Sequence, residues 1–176
     1  MKIKKIYQGE LPENKILNTQ STSQTDTYSC EYINNLLGLN YISAWKWQNE
    51  TLSLKQGFSK VDLKQVMSSN GNKLTLSNNN VVIGSGVSKI RINGQLALYN
   101  GNGNFGVAIV KNNNLDEGRL IMTWGEALAN KDTCIITTTT YADVQEGDLI
   151  SLYIYTVTAQ TSNVQGNSLI NVEVIC

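Results

Sequence analysis

Residues Ser88–Tyr99 read "SKIRINGQLALY", and this stretch decides the fold class. Apolar and polar side chains alternate along it. Ile90, Ile92, Leu96 and Leu98 share one face, while Lys89, Arg91, Asn93 and Gln95 share the other. A period of two marks a strand with one buried face, because successive side chains of a strand point to opposite sides. Gly94 keeps the alternation but adds no side chain, which in a strand often marks a bulge or bend.

The same period runs outward from this strand, from Phe58 to the end of the chain. "KLTL" and "VVI" flank the turn "NNN", "FGVAIV" follows "NGNGN", "RLIMTW" follows "NNNLDEG", and "CIITTTTY" is a β-branched run. In "LISLYIYTVT", Ile150, Leu152 and Ile154 oppose Ser151, Tyr153 and Tyr155. In "SLINVEVIC", Ile170, Val172 and Val174 alternate with Asn171 and Glu173. Short strands with turn signals roughly every ten residues predict an all-β, antiparallel two-sheet sandwich. No long helical period follows Phe58, which excludes parallel βαβ folds.

Upstream the pattern changes. In "YISAWKWQNETLSLKQG", Ile42 and Ala44 alternate with Trp45 and Trp47 nearby, and Leu52 and Leu54 repeat the alternation. "TDTYSCEYINNLLG", Thr25–Gly38, predicts a short helix. Asp26 or Thr27 caps its start, Gly38 ends it, and Tyr28, Tyr32, Ile33, Leu36 and Leu37 fall on one side. A helix of about three turns is marginal in water alone, so that face needs a partner. The partner is its own copies or the base of the head, or else its own subunit through Trp45 and Trp47. Residues from Met1 to about Gln24 read as a polar linker. The expected division is therefore an attachment segment over 1–50 and a β head over 51–176.

Composition narrows the function. The 176 residues carry no formal net charge and only 16% are charged, so the basic excess of a phosphate-binding surface is missing and nucleic acid is not expected as a partner. No apolar run is long enough for a membrane helix, and the N-terminal lysines have no apolar stretch behind them, so neither membrane insertion nor a secretory signal is expected. Histidine is absent, which removes the commonest general base and the commonest metal ligand. Cys30, Cys134 and Cys176 form no disulfide framework or zinc spacing and read as ordinary buried or terminal thiols. Asn makes up about one residue in eight, with frequent Thr, Ser and Gly, as suits a solvent-facing β protein with many turns.

The strand grammar then resembles a known family. "GSGVSKIRINGQLAL", "FGVAIVKNN", "TTTTYADVQEGDLISLYIYT" and "SLINVEVI" resemble the jelly-roll heads of the complement globular head and tumour-necrosis-factor superfamily. The matching steps are Val87–Leu98, Val107–Asn112, Val144–Leu152 and Leu169–Ile175. The N-terminal phrase "NTQSTSQTDTYSCEYINNLL" resembles segments of minor structural proteins of phages and prophages of low-GC Gram-positive bacteria. Together these resemblances imply a virion protein, a component of a tail fibre, baseplate or head fibre, made in the host cytoplasm. They imply a homotrimer whose heads meet through aromatic and apolar side chains of one sheet. Tyr153 and Tyr155, opposite the core residues of their strand, are the expected interface. The N-terminal segment would bind other virion proteins, and the head would meet a host surface glycan or protein. The alternative is a secreted bacterial adhesin or carbohydrate-binding lectin of the same fold.

Few residues offer chemistry. Asp143, Glu146 and Asp148 gather near one turn, where calcium is one reading, but without EF-hand spacing. The preferred reading is a solvated turn, or Asp148 bonding local N–H groups. "YNGNGNFG" lacks the helix and Lys-Ser/Thr pair of a phosphate loop. Trp124 in "MTWGEALAN" is either a core aromatic or, if exposed, a surface on which a sugar ring stacks. No enzyme activity, cofactor or metal is expected.

Overall fold

The computed structural model describes residues 39–176. The expected helix at Thr25–Gly38 and the linker before it lie outside the described residues. Among the described residues, every regular element is a strand and every strand pair is antiparallel.

One sheet contains β1 (Tyr41–Trp45), β2 (Glu50–Leu54), β4 (Gln65–Asn70), β7 (Lys89–Tyr99), β10 (Asp132–Ile136), β11 (Thr140–Asp143), β13 (Gln160–Val164) and β14 (Leu169–Val174). The other contains β3 (Gly57–Lys60), β5 (Leu74–Ser77), β6 (Asn80–Ile83), β8 (Gly103–Lys111), β9 (Arg119–Ala127) and β12 (Leu149–Thr156). The first runs β2-β13-β7-β14-β1-β4, with β10 and β11 on the second edge of β7. The second runs β5-β6-β12-β8-β9, with β3 beside β12.

The decisive strand, β7, behaves as its alternation predicts. Ile90, Ile92, Leu96 and Leu98 are buried, and they meet Phe105, Val107, Ile109, Ile150, Leu152 and Ile154 from the opposite sheet. Each such side chain contributes about 1.5–3 kcal/mol relative to exposure, and together they hold the two layers face to face. Gly94 differs from expectation. Its strand stays in register, Ile170 opposite it, with no bulge. A Cβ there would lie 3.0 Å from Leu152 Cδ1 and 3.4 Å from Ile109 Cδ1. The glycine therefore marks a close approach of the other sheet.

The run "CIITTTTY" divides into β10 and β11. Thr137 explains the break: the Gly94 N–H donates to Thr137 Oγ1 at 2.8 Å, where a ladder carbonyl would otherwise accept. The Thr137 N–H returns a bond to the Gly94 carbonyl at 2.8 Å. The first strand also departs from the expected boundary at 50/51. β1 lies inside the eight-stranded sheet, paired with β14 on one edge and β4 on the other, and buries Ile42 and Ala44. Its brevity hides this in the sequence, since two inward residues are too few to establish a period.

The abundance of Asn has a structural use. Asn78, Asn79, Asn100, Asn112, Asn113 and Asn130 all take positive φ at turns, a conformation that Asn tolerates better than other side chains. Trp47, at φ 76, is the other non-glycine case among the described residues, and its N–H bonds the Gly166 carbonyl at 2.9 Å.

Candidate functional site

The outer face of the six-stranded sheet carries the residues singled out from sequence. Outward positions follow from the ladders: Phe58 pairs with Tyr155, Lys60 with Tyr153, Gly106 with Trp124 and Ala108 with Met122. Trp124 is 52% exposed, so the core reading of this residue is set aside. Its ring meets Tyr155 edge-to-face at 5.2 Å, and Tyr155 meets Phe58 in the same manner at 4.8 Å. Arg119 lies over the Phe58 ring at 5.8 Å, within cation–π range.

Tyr153 is only 8% exposed within one subunit. It packs with Ala108, Val110, Phe58, Leu115 and Met122. This corrects the ground on which the Tyr153–Tyr155 interface was expected. Tyr153 is not left wet, because Phe58, Leu115 and Met122 from neighbouring segments pack around it, and a sequence period on β12 alone does not reveal those neighbours. Tyr155 remains half-buried between Phe58 and Trp124.

Beside the rings is a polar knot. Lys60 Nζ donates to Asn80 Oδ1 at 2.6 Å and to Asn113 Oδ1 at 3.0 Å. Ser151 Oγ donates to Asn80 Oδ1 at 2.6 Å, and the Tyr153 hydroxyl donates to Asn113 Oδ1 at 3.2 Å. Burial lowers the Lys60 pKa from its ordinary value, with Asp62 opposing, and burial raises that of Tyr153. Ser151 has no exposed surface, so the knot holds strands together and presents no nucleophile.

The three carboxylates do not converge. Asp148 is buried, with its Oδ2 accepting the Gln145 N–H at 3.0 Å and its Oδ1 accepting Asn112 Nδ2 at 2.7 Å. Asp143 is exposed and faces Lys89 at 3.7 Å. Among the described residues no group of three Asp, Glu, Cys or His side chains is placed to hold a metal ion. Cys134 and Cys176 are exposed free thiols, whereas Cys134 had been expected to be buried.

The outer face of the eight-stranded sheet is different. Ser43 Oγ donates to Asn171 Oδ1 at 2.6 Å, and Asn171 Nδ2 donates to Asn93 Oδ1 at 2.8 Å, a polar ladder across three strands. Arg91 and Glu173 pair in the next rung. These rungs floor an open groove of about 650 Å³ that reaches Tyr41, Met67 and Thr139. Tyr141 and Ile136, each 60% exposed, lie outward on β11 and β10, with Tyr99 on β7 and Met67 at the irregularity of the edge strand β4, whereas Val66 pairs with inward Ala44 and faces the other way. Sequence reasoning missed Ile136 and Tyr141, although their neighbours Ile135 and Ala142 alternate with them as inward residues.

No family profile and no curated protein matches the sequence. Solved structures do match the fold. Murine APRIL superposes with a TM-score of 0.60 at 11% identity, over 78% of this chain and 99% of that one. The Eiger TNF of S. frugiperda superposes with a TM-score of 0.58 at 12% identity, over 78% of this chain and 92% of that one. The fold is a tumour-necrosis-factor-like jelly roll. Within this tumour-necrosis-factor-like head, the two outer faces are the surfaces left to carry function, since the interior is filled by apolar side chains.

Proposed function

We propose that this chain is a non-enzymatic structural protein of a phage virion. It forms a homotrimeric tumour-necrosis-factor-like head, held to the particle by the segment before β1 and turned toward the host surface. The observation that carries the trimer is the asymmetry of the two outer faces. The outer face of the eight-stranded sheet exposes Met67, Tyr99, Ile136 and Tyr141, whereas that of the six-stranded sheet exposes Trp124. A self-complementary assembly needs several apolar side chains that water otherwise covers, and the eight-stranded sheet has them. The trimer therefore closes through that sheet, around Ile136 and Tyr141, and Tyr153 and Tyr155 stay on the far side. The N-terminal phrase Asn18–Leu37 supports the virion role through its likeness to phage structural segments.

Two measurements test this. Light scattering of the full chain should give three times the 19.4 kDa of one subunit; a single-subunit mass sinks the trimer. Antibody to the head, used in immunogold labelling of particles from a phage carrying this gene, should decorate a fibre or baseplate; unlabelled particles sink the virion role. No turnover is expected, because Ser151, which shares Asn80 and Asn113 with Lys60, has no exposed surface from which to attack a substrate. Incubation with cell-wall and capsular polysaccharides should release no fragments. The second reading, a secreted adhesin or lectin of the same fold, is favoured by the exposure of Trp124; finding capsid or tail genes beside this one would decide against it.

A further inference from the structure

We propose that Trp124 and the exposed pair Asn104–Glu126 form a binding site for one neutral pyranose unit of a polysaccharide, which deepens the reading above by naming the class of host ligand. The indole is a prepared surface. Gly106 lies directly across from Trp124, and a Cβ there would fall 2.4 Å from Met122 Cε and 3.2 Å from Tyr155 Cβ. The missing side chain makes room for Met122, and Trp124 Cε3, 3.7 Å from the same position, lies at ordinary contact distance above β8. Tyr155 braces it at 5.2 Å with an interplanar angle of 77°. The next residue, Gly125, faces inward so closely that a Cβ would lie 2.7 Å from Ile135 Cγ1. The backbone under Trp124 is thus pressed onto the core, and the ring is held without a ligand. Such pre-organisation spares part of the ordering cost of binding.

The polar partners are placed by the same ladder. Asn104 and Glu126 pair one rung beyond Gly106 and Trp124 on the outward face, and both are exposed. Residues two apart on a strand are separated by roughly 6.6 Å, and neighbouring strands by about 4.8 Å. An amide and a carboxylate at that distance reach the hydroxyls of a sugar whose apolar face rests on the indole. The amide donates and accepts, and the carboxylate accepts two hydroxyl protons. An anionic sugar is disfavoured by Glu126 at the rim. A protein partner is disfavoured by size. A specific interface needs about 800 Å² from each side and several anchors, whereas the strands of this sheet expose one large apolar side chain strongly.

The test uses the full chain on an array of neutral oligosaccharides containing glucose, galactose, mannose, rhamnose and N-acetylhexosamines, followed by calorimetry with the best of them. Wild type should retain at least one. Trp124→Ala should weaken it at least tenfold, Trp124→Phe less, and Asn104→Ala or Glu126→Gln several-fold, while Ser85→Ala, in the exposed loop between β6 and β7, leaves it unchanged. Urea midpoints of all variants check folding, and Trp124→Phe keeps a ring in place should Trp124→Ala unfold. The proposal is overturned if no neutral sugar is retained, if Trp124→Ala binds as wild type does, or if Trp124→Ala lowers the mass in light scattering, which makes the patch a subunit contact. Immunogold labelling is independent of all these outcomes, so a failed sugar site and a failed virion role are told apart.

Discussion

Replacing Asp148 with Ala should destabilise the head by about 3 kcal/mol. The carboxylate accepts from the Gln145 N–H at 3.0 Å and from Asn112 Nδ2 at 2.7 Å, and it is 4% exposed. Hydrogen bonds to a charged group contribute about 1.5–3 kcal/mol each, and both are lost when the carboxylate is removed. Lys111 at 3.8 Å adds little, being a third exposed and outside hydrogen-bond range. Two bonds at the lower end of that range give about 3 kcal/mol. Asn112 makes the loss reach further, since its Oδ1 accepts the Leu149 N–H at 2.8 Å and so ties the end of β8 to the start of β12. Asp148→Asn keeps the shape but turns one acceptor into an NH2 that faces a donor, so about half the loss is expected. Urea unfolding at neutral pH measures both, with the slope unchanged and the midpoint lowered. A loss under about 0.5 kcal/mol for Asp148→Ala would refute the claim that this carboxylate closes the turn. So would a rise in wild-type stability in millimolar calcium that Asp148→Ala abolishes, because the residue would then be a metal ligand.

Three further outcomes are expected. Asp at both Ile136 and Tyr141 should place like charges around the proposed threefold axis and yield folded monomers by light scattering, whereas Tyr153→Lys should unfold the sheet instead of separating subunits. Lys46 is 2% exposed and bonds Glu50 at 2.6 Å, so Glu50→Ala strands a buried ammonium and should lower the urea midpoint, while Lys46→Met with Glu50→Gln restores most of it. Lys46 holds the Glu50 carboxyl below its ordinary pKa, so the pair's stabilisation is present at neutral pH and fades as pH falls through that lowered value; an acid titration of Glu50→Gln should lack this loss. Burial raises the Tyr153 pKa above its ordinary 10.0, so the unfolded chain releases this proton first and stability falls as pH rises past that value. Tyr153→Phe should remove that alkaline loss, against the opposite and retained effect of Lys60.

The layers were legible in the sequence because alternation needs only one strand at a time. Ile90 to Leu98 and Ile150 to Ile154 announce their inward faces without reference to any neighbour. What a neighbour does was not legible. Tyr153 occupies an outward position, yet it is buried because Phe58, some ninety-five positions earlier, packs around it together with Leu115 and Met122. Gly94 reads as a defect in its own strand, while its cause is Leu152 on the other sheet. Thr137 looks like one more β-branched residue until its hydroxyl takes a ladder position. The one aromatic whose role was conditional, Trp124, was decided by exposure, a property of the folded sheet that its own strand does not state.

The placement of β1 has a mechanical side. A pull on the chain ahead of Tyr41 enters the head through a strand gripped on both edges, by Leu169–Glu173 of β14 and by Gln65–Asn70 of β4. Tension along that strand loads both ladders in shear, so their hydrogen bonds share the force at the same moment. A strand peeled from the rim of a sheet gives its bonds up singly, each under the whole load. Tethered through β1, the head yields only when two ladders slip together.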